Sequence, residues 1–266
     1  MEWPVTKVTS DEADHKYWTF TSHFDHCKVA LVMMGVELID SGKAEGKTYE
    51  ILAKDIMESV KKQYINVDFE TGAIIPLADY SYFYKCLFAE PTKYILPQKD
   101  LRAALQKLRN QGKFLFICSN SHAENVELVM TATLGENWRK LFDVIILNAS
   151  KPKFFCESTR PFYKMDNSVP SKKSDKISSI KDIKIDSEIT YLEGNSTLLT
   201  EFIQEKFELE FSEAPKVAFF GDEYVGDINF SNSIEGWDGI AIVEELHHAY
   251  DFKMMESKSA LKGLDP

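Results

Sequence analysis

Apolar positions recur at helical spacing through the first third of the chain and in short unbroken runs through the remainder. Residues 1–18 carry no such pattern and read as a polar tail. The run Cys27–Leu38 predicts a helix that ends near Gly42, a residue type suited to the left-handed turn after a helix. Tyr49–Tyr64 places Ile51, Leu52, Ile56, Val60 and Tyr64 on one side, the mark of an amphipathic helix. Ala78–Phe88 holds Tyr80, Tyr82, Phe83, Tyr84 and Phe88, and this spacing predicts a buried aromatic helix rather than a ligand cage.

The pattern then changes period. Asp100–Arg109 predicts a helix stopped by Gly112, followed by Phe114–Cys118 (FLFIC), an all-apolar run typical of a strand covered on both faces. A helix over Ala123–Leu134, a strand over Val144–Leu147, a helix over Thr197–Phe207 and a strand over Val217–Phe220 follow. Ile240–Val243 predicts the last strand, with a helix from Glu244. Strands alternating with helices specify an α/β fold with a mostly parallel sheet. A Ser/Lys-rich stretch over residues 164–190 interrupts the alternation and reads as a solvated loop or hairpin. Tyr191–Asn195 reads as a turn before the next helix. The organisation is a tail (1–18), a helical region (19–97) and an α/β core with one insertion (98–266).

Composition narrows the class. The 266 residues carry a net charge of −11, which argues against the cationic face that nucleic acid requires. Four cysteines, Cys27, Cys86, Cys118 and Cys156, lie far apart without a CxxC pair, and read as reduced thiols rather than a disulfide frame or zinc site. No apolar stretch approaches the length of a membrane span, and the first residues lack the apolar segment of a secretory signal. The expectation is an intracellular protein, cytoplasmic or part of a mitochondrial assembly.

Candidate chemistry sits where strands end, because ligands of open α/β sheets collect at the carboxyl edge. FLFIC runs into Ser119, Asn120 and Ser121 before a helix; these are ordinary N-caps or, with free N–H groups, an anion site. The second strand leads to Lys151, a surface residue or a phosphate partner. The third leads to Gly221-Asp222-Glu223-Tyr224-Val225-Gly226-Asp227, whose two aspartates either cap the helix or hold Mg²⁺. Asn195 is an N-cap or a ligand contact.

A strand ending in Ser, then Lys, then strand-Gly-Asp-x₄-Asp resembles the later motifs of the haloacid-dehalogenase superfamily in order. Residues 114–155 and the segments "YLEGN", "FFGDEYVGDI" and "GWDGIAIVEEL" are similar to cytosolic purine 5′-nucleotidase and its 5′-nucleotidase domain-containing relatives. The resemblance covers about residues 19–250. It implies a Rossmann-like parallel sheet with a helical cap region in the N-terminal third, and hydrolysis of nucleoside 5′-monophosphates through an aspartyl-phosphate. It implies that Ser119 holds the phosphoryl group through hydroxyl and amide, with Asn120 in support. Lys151 would neutralise phosphate and nucleophile. Asp222 and Asp227 would form the Mg²⁺ site, and Asn195 would contact substrate.

One departure is large. The family's first motif, an apolar strand ending D-x-D-x-T, has no match upstream of Cys27, and Ile65–Thr71 (INVDFET) is the nearest approximation elsewhere. In the expected D-A-x-K-P segment the acid is Asn148, and Glu223 adds an acid beside the aspartate pair. The resemblance places that first strand between the strands of Ser119 and Asp222, so its loss predicts a gap in the sheet. Three outcomes stand: a piece of a longer product, a strand supplied by a partner, or an inactive descendant kept for binding. The two functional expectations are a phosphohydrolase that this chain alone does not complete, and a non-catalytic subunit of a larger assembly or homo-oligomer.

Overall fold

The computed structural model describes residues 26–64, 74–169, 171–210 and 212–243. The tail, the INVDFET segment and the helix expected from Glu244 lie outside the described residues. The chain falls into two units, residues 1–56 and 57–266. In the first, α1 (His26–Asp40) is followed by the start of α2 (Tyr49–Tyr64). Gly35 lies against the Leu52 side chain, which would have to shift to admit a Cβ at this position. Lys47 pairs with Asp55 at 2.8 Å, and the Tyr49 hydroxyl donates to Asp40.

The second unit opens with α3 (Leu77–Tyr80), α4 (Tyr82–Ala89), α5 (Pro91–Tyr94) and α6 (Lys99–Asn110). The single aromatic helix expected over Ala78–Phe88 is therefore broken. Ser81 is extended and caps α4 by accepting from Tyr84 N–H, which restarts the helix out of phase. As a result Tyr84 and Leu87 are buried, while Tyr82 is 83% exposed and Phe83 also faces outward. Leu77, Tyr84 and Leu87 pack with Leu128 of α7 (Ala123–Leu134) in a small apolar cluster.

The core is α/β with a parallel-rich sheet. Strands β1 (Phe116–Cys118), β2 (Val144–Leu147), β3 (Phe162–Met165), β4 (Lys173–Ile177) and β5 (Tyr191–Glu193) assemble in the order β1-β2-β5-β3-β4. The first three in that order are parallel; β3 and β4 join antiparallel. All four residues of β2 are buried. Val144 and Ile146 enter one cluster with Phe154 of α8 (Lys153–Cys156) and Leu199 and Ile203 of α9 (Ser196–Lys206). Ile145 and Leu147 enter the other with Trp138, Leu141 and Val126. This alternation is why a strand buried on both faces has no polar position. Asp143 ties the strand starts together, accepting from Leu115 N–H at 2.9 Å and pairing with Arg109 at 3.0 Å.

The Ser/Lys-rich insertion takes the hairpin form expected of it, β3–β4, with β3 paired to β5 and β4 mostly exposed. Two expectations change. Tyr191–Glu193 is not a turn but an inner strand, and the left-handed pair Glu193 (φ +64°) and Gly194 (φ +85°) turns the chain, with the Phe162 ring where a Gly194 Cβ would sit. The last strand, β7, spans Trp237–Ala241 rather than Ile240–Val243, because Trp237 is buried against Phe219 and the residues after Ala241 lie at the surface. It pairs in parallel with β6 (Val217–Gly221), and these two form a separate sheet. Among the described residues no strand joins β1 to β6.

Candidate functional site

The carboxyl ends of β1, β2 and β6 meet at one salt bridge. Lys151 Nζ lies 2.6 Å from Asp227 Oδ1, with the two side chains only 12% and 5% exposed. Lys151 also sits over the Phe219 ring at 5.4 Å. A pair this sequestered is held by geometry, since each charge has given up most of its water. Asp227 is fixed from the other side as well. Its Oδ2 accepts from Glu223 N–H at 3.3 Å, and it lies so close to Gly221 that any Cβ there would collide with it.

Asn120 positions the lysine rather than reaching outward. Its side-chain oxygen accepts from Lys151 N–H at 2.6 Å and its Nδ2 donates to the Lys151 carbonyl at 3.2 Å. The preceding loop is unusual: Asn148 and Ser150 both have positive φ, at 49° and 58°. Arg160 clamps that loop, donating to the Ala149 carbonyl and to Ser150 Oγ. It pairs in turn with Glu193 at 3.4 Å, which Lys173 of the hairpin also contacts at 2.5 Å. Nothing in the spacing of the sequence singles out Arg160; its role depends on the return of β3 beside β5.

Ser119 ends β1. Its N–H donates to Ile146 carbonyl in the sheet ladder at 2.9 Å, so the amide is not turned toward the site. The hydroxyl accepts from Ser121 N–H at 3.1 Å and keeps its proton for another acceptor. Asn195 is buried, accepting from Leu198 N–H at 2.8 Å as the cap of α9 and donating to Arg160 carbonyl at 2.6 Å. It therefore braces Arg160 from within the fold.

Asp222 is exposed at the end of β6. Glu223 turns away from it and caps the following π-helix (Tyr224–Asn229), accepting from Val225 N–H at 3.2 Å and from Gly226 N–H. Among the described residues no three His, Cys, Asp or Glu side chains cluster as a metal cage. The donor chemistry fits a sparse site: one exposed carboxylate, with Asp227 already held by Lys151 and a backbone N–H. Mg²⁺ is commonly bound by one or two carboxylates, with waters and substrate oxygens filling the rest. Cys118, also at the end of β1, has its thiol pushed up to about 12 by burial, opposed by the Lys151 cation and reinforced by Asp227.

Comparison with known proteins adds to this geometry. The model of the 5′ nucleotidase family matches residues 2–264. The human 5′-nucleotidase domain-containing protein 1 is 26% identical over 234 residues, covering 87% of this chain and 47% of that protein. Its counterpart in Bos taurus is 26% identical over 246 residues, covering 91% and 50%. The human 5′-nucleotidase domain-containing protein 2 is 34% identical over 163 residues, covering 61% and 29%. The chain thus spans about half the length, or less, of the curated relatives it matches.

Proposed function

The chain belongs to the 5′ nucleotidase family, and from that premise we propose that it carries the phosphate-handling part of a nucleoside 5′-monophosphate hydrolase. The observation that carries the reading is the contact of Lys151 with Asp227 at 2.6 Å, past the carboxyl ends of β2 and β6. Lys151 supplies a fixed positive charge in a poorly solvated spot, where its attraction for a phosphate is large. Asn120 and Arg160 hold its peptide in place. Ser119 offers a hydroxyl donor to a phosphoryl oxygen. Mg²⁺ would be held by Asp222, with Asp227 beside it, and would supply charge neutralisation to the phosphate.

No segment of these 266 residues reads D-x-D-x-T. The proposal is therefore that the chain alone binds phosphate but does not turn over. The test has two arms. Orthophosphate binding by calorimetry, with and without Mg²⁺, should be present in the native chain and lost in Lys151→Met. Release of phosphate from nucleoside monophosphates should be undetectable for the chain alone and appear once an upstream strand bearing D-x-D-x-T is fused to it. No binding, and no turnover in the fusion, sinks the reading.

A second reading has its own support in the divided sheet. A non-catalytic subunit of a larger assembly, or of a homo-oligomer, would keep the same anion site without needing a nucleophile. Size-exclusion chromatography and pull-down separate the two; a stable monomer with no partner counts against this one. Among the described residues no helix is long and apolar enough to cross a membrane.

A further inference from the structure

Backbone strain gathers around the loop that carries Lys151. Among the described residues, six other than glycine take a left-handed φ, a conformation that costs a side chain free energy and persists where its surroundings enforce it. Four of them, Asn148 (φ 49°), Ser150 (φ 58°), Ser171 (φ 63°) and Glu193 (φ 64°), lie on or beside one run of contacts that ends at Lys151. Ser150 Oγ donates to the Asn148 carbonyl at 3.3 Å and accepts from Arg160, which also donates to the Ala149 carbonyl. Lys151 follows directly, its N–H held by Asn120 Oδ1 at 2.6 Å. The loop is thus shaped by the Arg160 guanidinium.

Arg160 is itself held from two sides. Its side chain is only 12% exposed, and a cation so placed needs a counter-charge. Glu193 supplies it: one oxygen, Oε1, lies 3.4 Å from Arg160 Nη2 and 2.5 Å from Lys173 Nζ. Lys173 Nζ also sits over the Tyr163 ring at 4.6 Å, which restricts where that cation can go. Asn195 Nδ2 donates to the Arg160 carbonyl at 2.6 Å and fixes the backbone of the same residue. Ser171, two residues before Lys173, accepts from Ala123 N–H at 3.1 Å, so the β3–β4 hairpin is anchored at the start of α7, just after Ser119 and Asn120. Glu193 occupies a left-handed position where glycine would be free of strain. A carboxylate held there between two cations, against the local backbone preference, serves a contact rather than the turn.

We propose that Glu193 is a positioning residue for the Lys151 loop, acting through Arg160. Its carboxylate fixes the guanidinium that binds Ala149 and Ser150, and Lys173 ties that carboxylate to the hairpin. The consequence for phosphate affinity rests on the phosphate reading of Lys151; the positioning itself requires no phosphate. Other roles for Glu193 make different demands. If it acted only as a charge, its removal would raise the affinity for an anion, because a negative field near the site would be gone. If it served only the turn, glycine would replace it without loss. Positioning demands the opposite of both, a loss of phosphate affinity when the carboxylate is removed.

The experiment uses the full chain and two readouts. Without phosphate, hydrogen exchange is followed at Ala149, whose N–H donates to the Ser119 carbonyl at 3.0 Å, at Lys151, and along β2. In Glu193→Gln the two loop amides should exchange about fivefold faster, the size expected for one partly buried ion pair, with β2 unchanged. With phosphate, calorimetry should show orthophosphate affinity about fivefold weaker in the same variant. Arg160→Lys keeps the charge but cannot bridge a carbonyl and a hydroxyl at once, and should weaken affinity about as much. Adding Glu193→Gln to Arg160→Lys should then change nothing further, because the glutamate acts through the arginine. If Glu193→Gln proves unfolded, Glu193→Gly takes its place with the same expected losses, since the backbone there favours glycine. Unchanged exchange at Ala149 and Lys151, an equal rise along β2, unchanged or tighter orthophosphate binding in Glu193→Gln, or additive effects in the double variant each overturn the proposal. If the native chain binds no orthophosphate, the phosphate reading fails, and exchange at the two loop amides alone decides for or against Glu193.

Discussion

The Lys151–Asp227 pair allows a quantitative test, because both ends can be neutralised with little change of shape. Lys151→Met keeps the length of the side chain and its contact with the Phe219 ring, but leaves the buried Asp227 carboxylate without its cation. Asp227→Asn keeps the acceptor for Glu223 N–H but leaves the ammonium facing an amide. Breaking a buried pair from one side costs about 3–5 kcal/mol. Here the lower end applies to Asp227→Asn, since the lysine stem can carry its charge toward water. Removing both charges should recover a large part of that loss, giving a coupling energy of about 1–3 kcal/mol. Urea unfolding followed by far-UV circular dichroism and by the fluorescence of the core residues Trp138 and Trp237 measures all four corners of the cycle. Additive effects, with coupling below about 0.5 kcal/mol, would show that the two charges do not depend on one another. The account of Lys151 as a pre-positioned cation would then fail.

Further outcomes follow from single contacts. Asn195→Ala removes the cap of α9 and the partner of Arg160 carbonyl together, and should lower stability by about 1–2 kcal/mol in chemical unfolding. Gly194→Ala places a methyl group on the Phe162 ring at a left-handed residue and should lower the melting temperature more than Asn195→Ala does. Asp222→Asn, at an exposed position, should leave stability within about 0.5 kcal/mol and abolish any Mg²⁺ enhancement of orthophosphate binding, measured by calorimetry. Cys118, with its thiol raised to about 12, should remain protonated and unalkylated by iodoacetamide from neutral pH to about pH 10 in the folded chain, whereas exposed Cys156 reacts earlier. Peptide mapping reads both, and early labelling of Cys118 would contradict its raised pKa.

The sequence made some elements plain and hid others for identifiable reasons. β2 and α7 have the bounds expected from their apolar runs, because each buries a pattern that has only one sensible period. β5 is three residues long, and its neighbour Gly194 dominates the local signal, so a strand read as a turn. The break at Ser81 was invisible because the aromatic residues on either side continue the helical spacing, while the cap that interrupts it depends on one hydroxyl. The trailing strand was misplaced because Ile240–Val243 is the more apolar run, yet burial against Phe219 falls on Trp237. At the candidate site the charged residues stood out from their motif order. Their supports did not: the bonds of Asn120 to the lysine peptide depend on the loops after β1 and β2 meeting, and Arg160 carried no signal at all.

Those supports bear on how a site can persist beside a divided sheet. Lys151 is fixed through β1 by Asn120, through β3 by Arg160 and through the β6 loop by Asp227. Only the last of these crosses from one sheet to the other. Two of the three supports therefore hold Lys151 from within its own sheet, and its position relative to the carboxylates after β6 depends on the single contact with Asp227.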